Sequence, residues 1–179
     1  MTIELRPWAP SDAGALHAAA VLGPDVARQL GGVSDREGCE RLVTERLAVW
    51  GPDRFHVAVT VDGLVVGDVG VSEVERRHDT AWVHYWLADG YRGRGLAVRG
   101  LATVAAWASG ELGLFRLELG HRLENPGSCR VATRAGFAPE GVERAKLRYG
   151  SERFDVETHA RLATDPAPDV EHLPFRRPA

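Results

Sequence analysis

The stretch Asp89-Gly90-Tyr91-Arg92-Gly93-Arg94-Gly95 constrains this chain more than any other. It lies between an apolar, β-prone run, Thr80 to Leu87, and a segment with Ala97, Leu101, Val104, Ala105 and Ala108 at helical spacing. A strand must therefore pass into a helix through a turn of glycines and arginines. The first amides of a helix have no internal partner, and the helix dipole places partial positive charge there. Glycines admit a ligand close to the backbone, and Arg92 and Arg94 add full charge. Together these make an anion site that matches a diphosphate. Such a turn can also be a plain connector, and its arginines can be solvated surface. The dinucleotide-binding fingerprint fails on spacing, because Val98 stands where its third glycine belongs. The nucleoside-triphosphate loop fails because no Gly-Lys-Ser/Thr follows.

The remaining pattern reads in order around that turn. Thr2 to Arg6 alternates as a first strand, and Ser11-Asp12 caps a helix running to about Leu22. Gly23-Pro24 and Gly31-Gly32 punctuate the chain. Ser34 and Glu37 then form a capping box for a helix with Cys39, Leu42, Val43, Leu47 and Trp50 on one face. A meander follows: Phe55 to Val61, a hairpin at Asp62-Gly63, Leu64 to Val74, and Thr80 to Leu87. After the long helix come a strand over Phe115 to His121 and a helix opened by Asn125-Pro126 and closed by Gly136. Two strands near Val142 to Arg148 and Arg153 to Leu162 complete the order. This is an α/β fold, a mixed sheet with helices on its faces. Residues 1–162 read as one domain and residues 163–179 as a proline-rich extended tail.

Composition excludes several classes. With 179 residues, 44% hydrophobic and 26% charged, the chain is an ordinary globular domain. A net charge of -3 gives no bulk electrostatic case for a nucleic-acid partner. The longest apolar stretch, Leu101 to Ala108, is far shorter than the roughly 20 residues of a membrane span. Met1 to Arg6 lacks the signature of a signal peptide. Cys39 and Cys129 form no CxxC and no disulfide framework, which fits a reducing cytoplasm.

Arg92-Gly93-Arg94-Gly95-Leu96-Ala97 resembles the coenzyme A motif of the GNAT acetyltransferase superfamily. Its context resembles that family too: Tyr85-Trp86-Leu87 before it, Asn125-Pro126-Gly127-Ser128 after the next strand, then Gly136-Phe137. The set is similar to the branch that includes ribosomal-protein N-terminal acetyltransferases, over roughly Ile3 to Leu162. The resemblance implies a mostly antiparallel sheet of about seven strands. In such a sheet the strand before the turn carries a bulge and splays from the strand after the helix. It also implies acetyl-CoA as cosubstrate and no metal. Arg92, Gly93, Arg94, Gly95, Leu96 and Ala97 would hold the pyrophosphate. Asn125 and Ser128 would contact the pantetheine, and an amide in Tyr85, Trp86 or Leu87 would face the thioester oxygen. Asn125 also has a simpler reading as a helix N-cap.

Many members of the family carry a tyrosine seven residues after the asparagine as general acid. Ala132 stands there, so Ser128 is the expected proton donor to the departing thiolate. His84 and Glu73 are the candidate bases, and each can equally be structural. Trp8, Trp50, Trp82 and Tyr149 are candidate walls of an acceptor pocket, or simply core and surface aromatics. An α-amine, with a reference pKa of about 7.7–8.0, needs less help to lose its proton than a lysine side chain near 10.4. The expected acceptor is therefore a protein or peptide N-terminal amine. A small-molecule amine (antibiotic, amino acid or polyamine) and a non-catalytic acyl-CoA sensor are the alternatives. Relatives are often dimers, so a homodimer is an open expectation.

Overall fold

The computed structural model describes residues 1–177. Seven strands form a single sheet in the order β1-β2-β3-β4-β5-β7-β6. They are β1 Ile3–Pro7, β2 Phe55–Val61, β3 Leu64–Glu75, β4 Thr80–Leu87, β5 Arg116–Arg122, β6 Ala138–Tyr149 and β7 Glu152–Leu162. The helices are α1 Ala13–Leu22, α2 Pro24–Gln29, α3 Arg36–Leu42, α4 Leu96–Gly110 and α5 Pro126–Arg134. All strand pairs are antiparallel except β4 with β5. The fold is thus the mixed, mostly antiparallel α/β sheet expected.

The alternation of side chains along the strands creates two apolar cores. On one face Val57, Val59, Val69, Val71, Val83, Leu117 and Leu119 pack under α4, whose Leu101, Val104 and Ala105 are buried. On the other, Ala58, Val65 and Trp86 pack against Leu16, Val26, Cys39 and Val43 of the N-terminal helices. The hairpin at Asp62-Gly63 has positive φ at both residues, 49° and 83°, as a two-residue turn requires.

Local expectations fail where one residue of register matters. The helix expected from Ser34 begins at Arg36, so Asp35 is the cap and its Oδ1 accepts from the Gly38 amide at 2.8 Å. The capping box of Ser34 and Glu37 is therefore not formed. Gly23-Pro24 does more than punctuate: Pro24 opens α2, its missing N–H costing nothing at a first helical position. After α3 the backbone widens into a π turn over Val43–Leu47 and the helix stops at Ala48. Trp50 consequently leaves the helix and packs against Phe55, Trp107 and Phe175. The expected bulge in β4 is absent. Its register with β3 runs unbroken from Gly67↔Leu87 to Ser72↔Trp82, and the irregularity falls in β3 beyond Ser72, around Glu73 at φ 53°.

Of the tail, residues 163–177 lie on the body. Phe175 bridges to Leu5, the Leu5 amide donates to the Pro174 carbonyl, and Leu173 is buried. The tail thereby covers the outer edge of β1. The opposite edge, β6, is exposed, carries Glu140, Glu143, Arg144, Lys146 and Arg148, and breaks register between Glu143 and Leu147.

A buried polar node ties β1 to the centre of the sheet. Asp68 on β3 is fully enclosed, accepting from Trp8 Nε1 at 2.7 Å through Oδ1 and contacting His56 Nδ1 at 3.1 Å through Oδ2. Burial alone would raise the Asp68 pKa. The charge and hydrogen bond of His56, followed by the proximity of His84, outweigh it and hold the carboxyl well below the usual range. A depressed carboxylate contributes stability that is fully present above its unfolded value of about 3.9 and is lost as pH falls towards the folded value. Asp68→Asn should therefore cost about 3 kcal/mol near neutrality. It should also flatten the decline in stability below about pH 4, where the wild-type contribution fades. Urea denaturation across an acid pH series measures both.

Candidate active site

β4 and β5 pair only at Thr80↔Arg116, Ala81↔Leu117 and Trp82↔Glu118. Beyond that point they diverge. A cavity of about 520 Å³ occupies the gap, lined by Val83–Leu87 on one side and Leu119–Arg122 on the other. Its volume is in the range of small-molecule sites. The turn before α4 and the start of α5 close one end, and α2 with Tyr149 closes the other.

The strand ladder dictates which amides face the gap. The Ala88 amide donates to Val66 on β3, and N–H groups alternate sides along a strand. Trp86 and His84 therefore give their amides to β3, whereas Tyr85 and Leu87 present theirs to the gap. The side chains alternate as well. Tyr85 and Leu87 lie on the α4 face, and Trp86 packs on the opposite face against Trp8, with ring centroids 6.2 Å apart. Of Tyr85, Trp86 and Leu87, the amides of the first and third are the ones free of the sheet.

At the diphosphate end, Gly93 and Gly95 both have φ of 75°, a left-handed conformation that excludes side chains other than at a cost. Gly95 is the N-cap of α4, so the unpaired amides of Leu96, Ala97 and Val98 open into the cavity. Arg92 also lines it, while its guanidinium holds the turn by donating to the Leu87 carbonyl at 3.1 Å and pairing with Asp89 at 3.2 Å. Arg94 is exposed, stacks on Tyr91 at 5.3 Å and lies outside the cavity lining.

Across the gap, Asn125 caps α5 by accepting from the Ser128 amide at 3.0 Å, and it lines the cavity too. The Ser128 hydroxyl sits 2.7 Å from Tyr85 Oη, which also contacts the Ser128 carbonyl at 3.0 Å. Burial, only partly offset by the hydrogen bond to Ser128, pushes the Tyr85 phenol up to about 12. It stays protonated and can supply a hydrogen to Ser128. The resemblance implies a role for the Tyr85 backbone alone; that its hydroxyl also meets Ser128 follows from the alternation of side chains along β4.

On the opposite face of the sheet, His84 lines the cavity with its Nε2 3.6 Å from Asp68 Oδ2. At that distance Asp68 is an electrostatic neighbour of His84 and a hydrogen-bond partner of His56. Gly70, directly across from His84, makes room for the imidazole: a Cβ there would lie 2.2 Å from two ring atoms. Glu73 is exposed and lies outside the cavity, since the β3 irregularity carries it beyond the paired segment. The structure therefore brings His84 to the gap and leaves Glu73 away from it. Among the aromatics, Tyr149 lines the cavity; Trp8 and Trp50 are packed inside the protein, and Trp82 lies beneath Lys146.

The site is therefore two-sided. Unpaired amides and the Tyr85–Ser128 hydroxyl pair occupy the α4–α5 face, and an imidazole backed by a buried carboxylate occupies the other. Such an arrangement can hold an extended diphosphate-bearing ligand through backbone donors and offer a base from the far side.

Residues 2–138 match the model of the acetyltransferase (GNAT) domain. The probable N-acetyltransferase YjcK of Bacillus subtilis (strain 168) is 30% identical over 133 residues, covering 72% of this chain and 74% of that protein. The ribosomal-protein-serine acetyltransferase of Escherichia coli (strain K12) is 32% identical over 100 residues, 55% of either chain. Among solved structures, the ribosomal L7/L12 alpha-N-protein acetyltransferase RimL in complex with coenzyme A has a TM-score of 0.81 at 21% identity, covering 90% of this chain and 94% of that one. The microcin C7 self-immunity acetyltransferase MccE, in complex with acetyl-CoA and AMP, has a TM-score of 0.77 at 16% identity, covering 90% and 92%. A sheet opened beside a glycine-lined helix start is what an acyl-CoA donor requires, and with the family model matched over most of its length the chain belongs to the GNAT acetyltransferases, with acetyl-CoA as its cosubstrate.

Proposed function

We propose that this enzyme acetylates the α-amine of a protein or peptide N-terminus. The observation that carries this reading is the charge of the cavity end away from the glycine turn. Arg28 and Arg122 both lie against the Tyr149 ring there, at 5.0 and 5.7 Å. The acid at that end, Asp25, is already paired with Arg28 at 2.7 Å. A polyamine would meet uncompensated positive charge. A peptide offers backbone carbonyls, acidic side chains and a single weakly basic amine instead. The similarity to a ribosomal-protein-serine acetyltransferase supports the same class of acceptor.

The chemistry follows from the two faces of the gap. The diphosphate of acetyl-CoA lies on the amides from Gly93 to Ala97, and its pantetheine arm fills the opening between β4 and β5. The neutral amine attacks the thioester carbonyl, and the gap-facing amides of Tyr85 and Leu87 stabilise the oxyanion. His84 removes the extra proton from the nitrogen. The carbon–sulfur bond then breaks, and Ser128, supplied in turn by the Tyr85 hydroxyl, protonates the thiolate. Asp68 and Gly70 act only through His84, as positioning residues.

Three outcomes are expected. Ser128→Ala should lower kcat about 10²-fold with little change in the KM for acetyl-CoA, and adding Tyr85→Phe should cost little more, because the two hydroxyls act as a unit; steady-state thiol release measures this. His84→Gln should lower kcat/KM about 10²-fold, while Gly70→Ala should lower kcat by displacing the ring; a His84→Gln enzyme with unchanged kcat/KM would exclude the imidazole as base. In an acceptor panel read by mass spectrometry, peptides with acidic residues near the amino-terminus should outcompete spermidine, and Arg122→Glu should narrow that preference. Faster turnover of spermidine by the wild type would overturn the N-terminal assignment.

A further inference from the structure

Beneath α5, outside the proposed chemistry, four side chains converge. His121 on β5 and Glu157 on β7 are directly opposed in register, His159 is opposed to Leu119 on the same face, and Cys129 descends from α5. The Nε2 atoms of His121 and His159 are 3.1 Å apart, and each lies 3.2 Å from the same Glu157 oxygen, Oε2. The Cys129 sulfur belongs to the same group, all four ligand atoms lying within 4.8 Å of one another.

The far side of each ring fixes its tautomer. His121 Nδ1 is 2.9 Å from the Arg122 carbonyl, and His159 Nδ1 is 3.1 Å from the Phe137 carbonyl. A carbonyl can only accept, so each Nδ1 carries a hydrogen and each ring turns its Nε2 inward. Two ring nitrogens and a carboxylate oxygen thus face one point, with both rings almost wholly buried. A cluster this tight is held either by protons shared with Glu157, which also takes a hydrogen bond from the Cys129 thiol, or by a metal ion among the four groups. Histidines held at Nδ1 by carbonyls, with Nε2 turned to a shared centre, have the outer support usual for metal ligands.

We propose that His121, Cys129, Glu157 and His159 form a tetrahedral site for a divalent transition-metal ion of the zinc type. Ligand bonds of about 2.0 Å to nitrogen and oxygen give tetrahedral edges of about 3.3 Å, close to the 3.1 and 3.2 Å observed. Two imidazoles, a thiolate and a carboxylate select zinc-like ions over magnesium or calcium. The ion binds as the Cys129 thiol gives up its proton to solvent and a metal–sulfur bond forms. Amine acetylation as derived above draws on no metal, so the ion is structural. It ties α5, one residue past Ser128, to β5 and β7, and steadies the wall on which the thioester lies.

The probe is cobalt(II), added to purified, metal-stripped, full-length protein without coenzyme A. The expected result is one equivalent bound per chain, with the visible bands of tetrahedral cobalt and a near-ultraviolet thiolate charge-transfer band. Zinc should displace it. Cys129→Ser should abolish the charge-transfer band, Glu157→Gln should weaken cobalt affinity tenfold or more, and His84→Gln, at the separate His56–Asp68–His84 cluster, should change neither. Circular dichroism of the Cys129→Ser and Glu157→Gln proteins checks that both remain folded, and Cys129, being only partly buried, tolerates serine. Absence of saturable binding to folded wild type overturns the proposal, as does a spectrum that survives Cys129→Ser or disappears in His84→Gln.

Discussion

Everything at this site depends on three residue pairs. β4 and β5 run side by side only through Trp82 and Glu118, then separate. Backbone amides past that point have lost their ladder partners, and buried donors without partners are costly. They open onto the cavity between the two strands, where an extended ligand would meet them as a further strand would. The crossover that joins the two strands is α4, so the same connection that forces them to be parallel also sets a helix start, with its free amides, at the mouth of the opening. Cleft and anion site are therefore two results of one piece of topology.

The histidine on the other face rests on a different balance. Asp68 remains ionised in the centre of the protein because Trp8, His56 and His84 surround it. Removing the counterpart of a buried charge costs more than the pair contributes, so this node stabilises the sheet only while it is complete. Its members come from the segment after β1 and from β2, β3 and β4. The imidazole at the gap is thereby fixed by the same contacts that align the sheet.

Much of this was legible in the chain. The turn at Arg92 to Ala97, the Asp62-Gly63 hairpin and the Asn125-Pro126 helix start depend on neighbours in sequence, and local chemistry specifies them. What escaped depends on register between distant strands. His56 and Asp68 stand out as polar residues in otherwise apolar runs, yet nothing local says that they meet. Tyr85 and Ser128 are 43 positions apart and touch only because β4 and α5 face each other across the gap. Glu73 looked as suitable a base as His84 until a break in β3 carried it aside. Arg94 matched the motif as well as Arg92, but only the latter reaches back to the Leu87 carbonyl.

The two margins of the sheet bear on how copies of the protein meet. Phe175 and its neighbours occupy the hydrogen-bonding groups of Leu5 that would otherwise face outward. The far margin is lined with charge and kinked at Ala145, whose φ is 54°. Neither border offers a straight, open template, so the sheet resists recruitment into fibrils or into a continuous sheet shared between molecules.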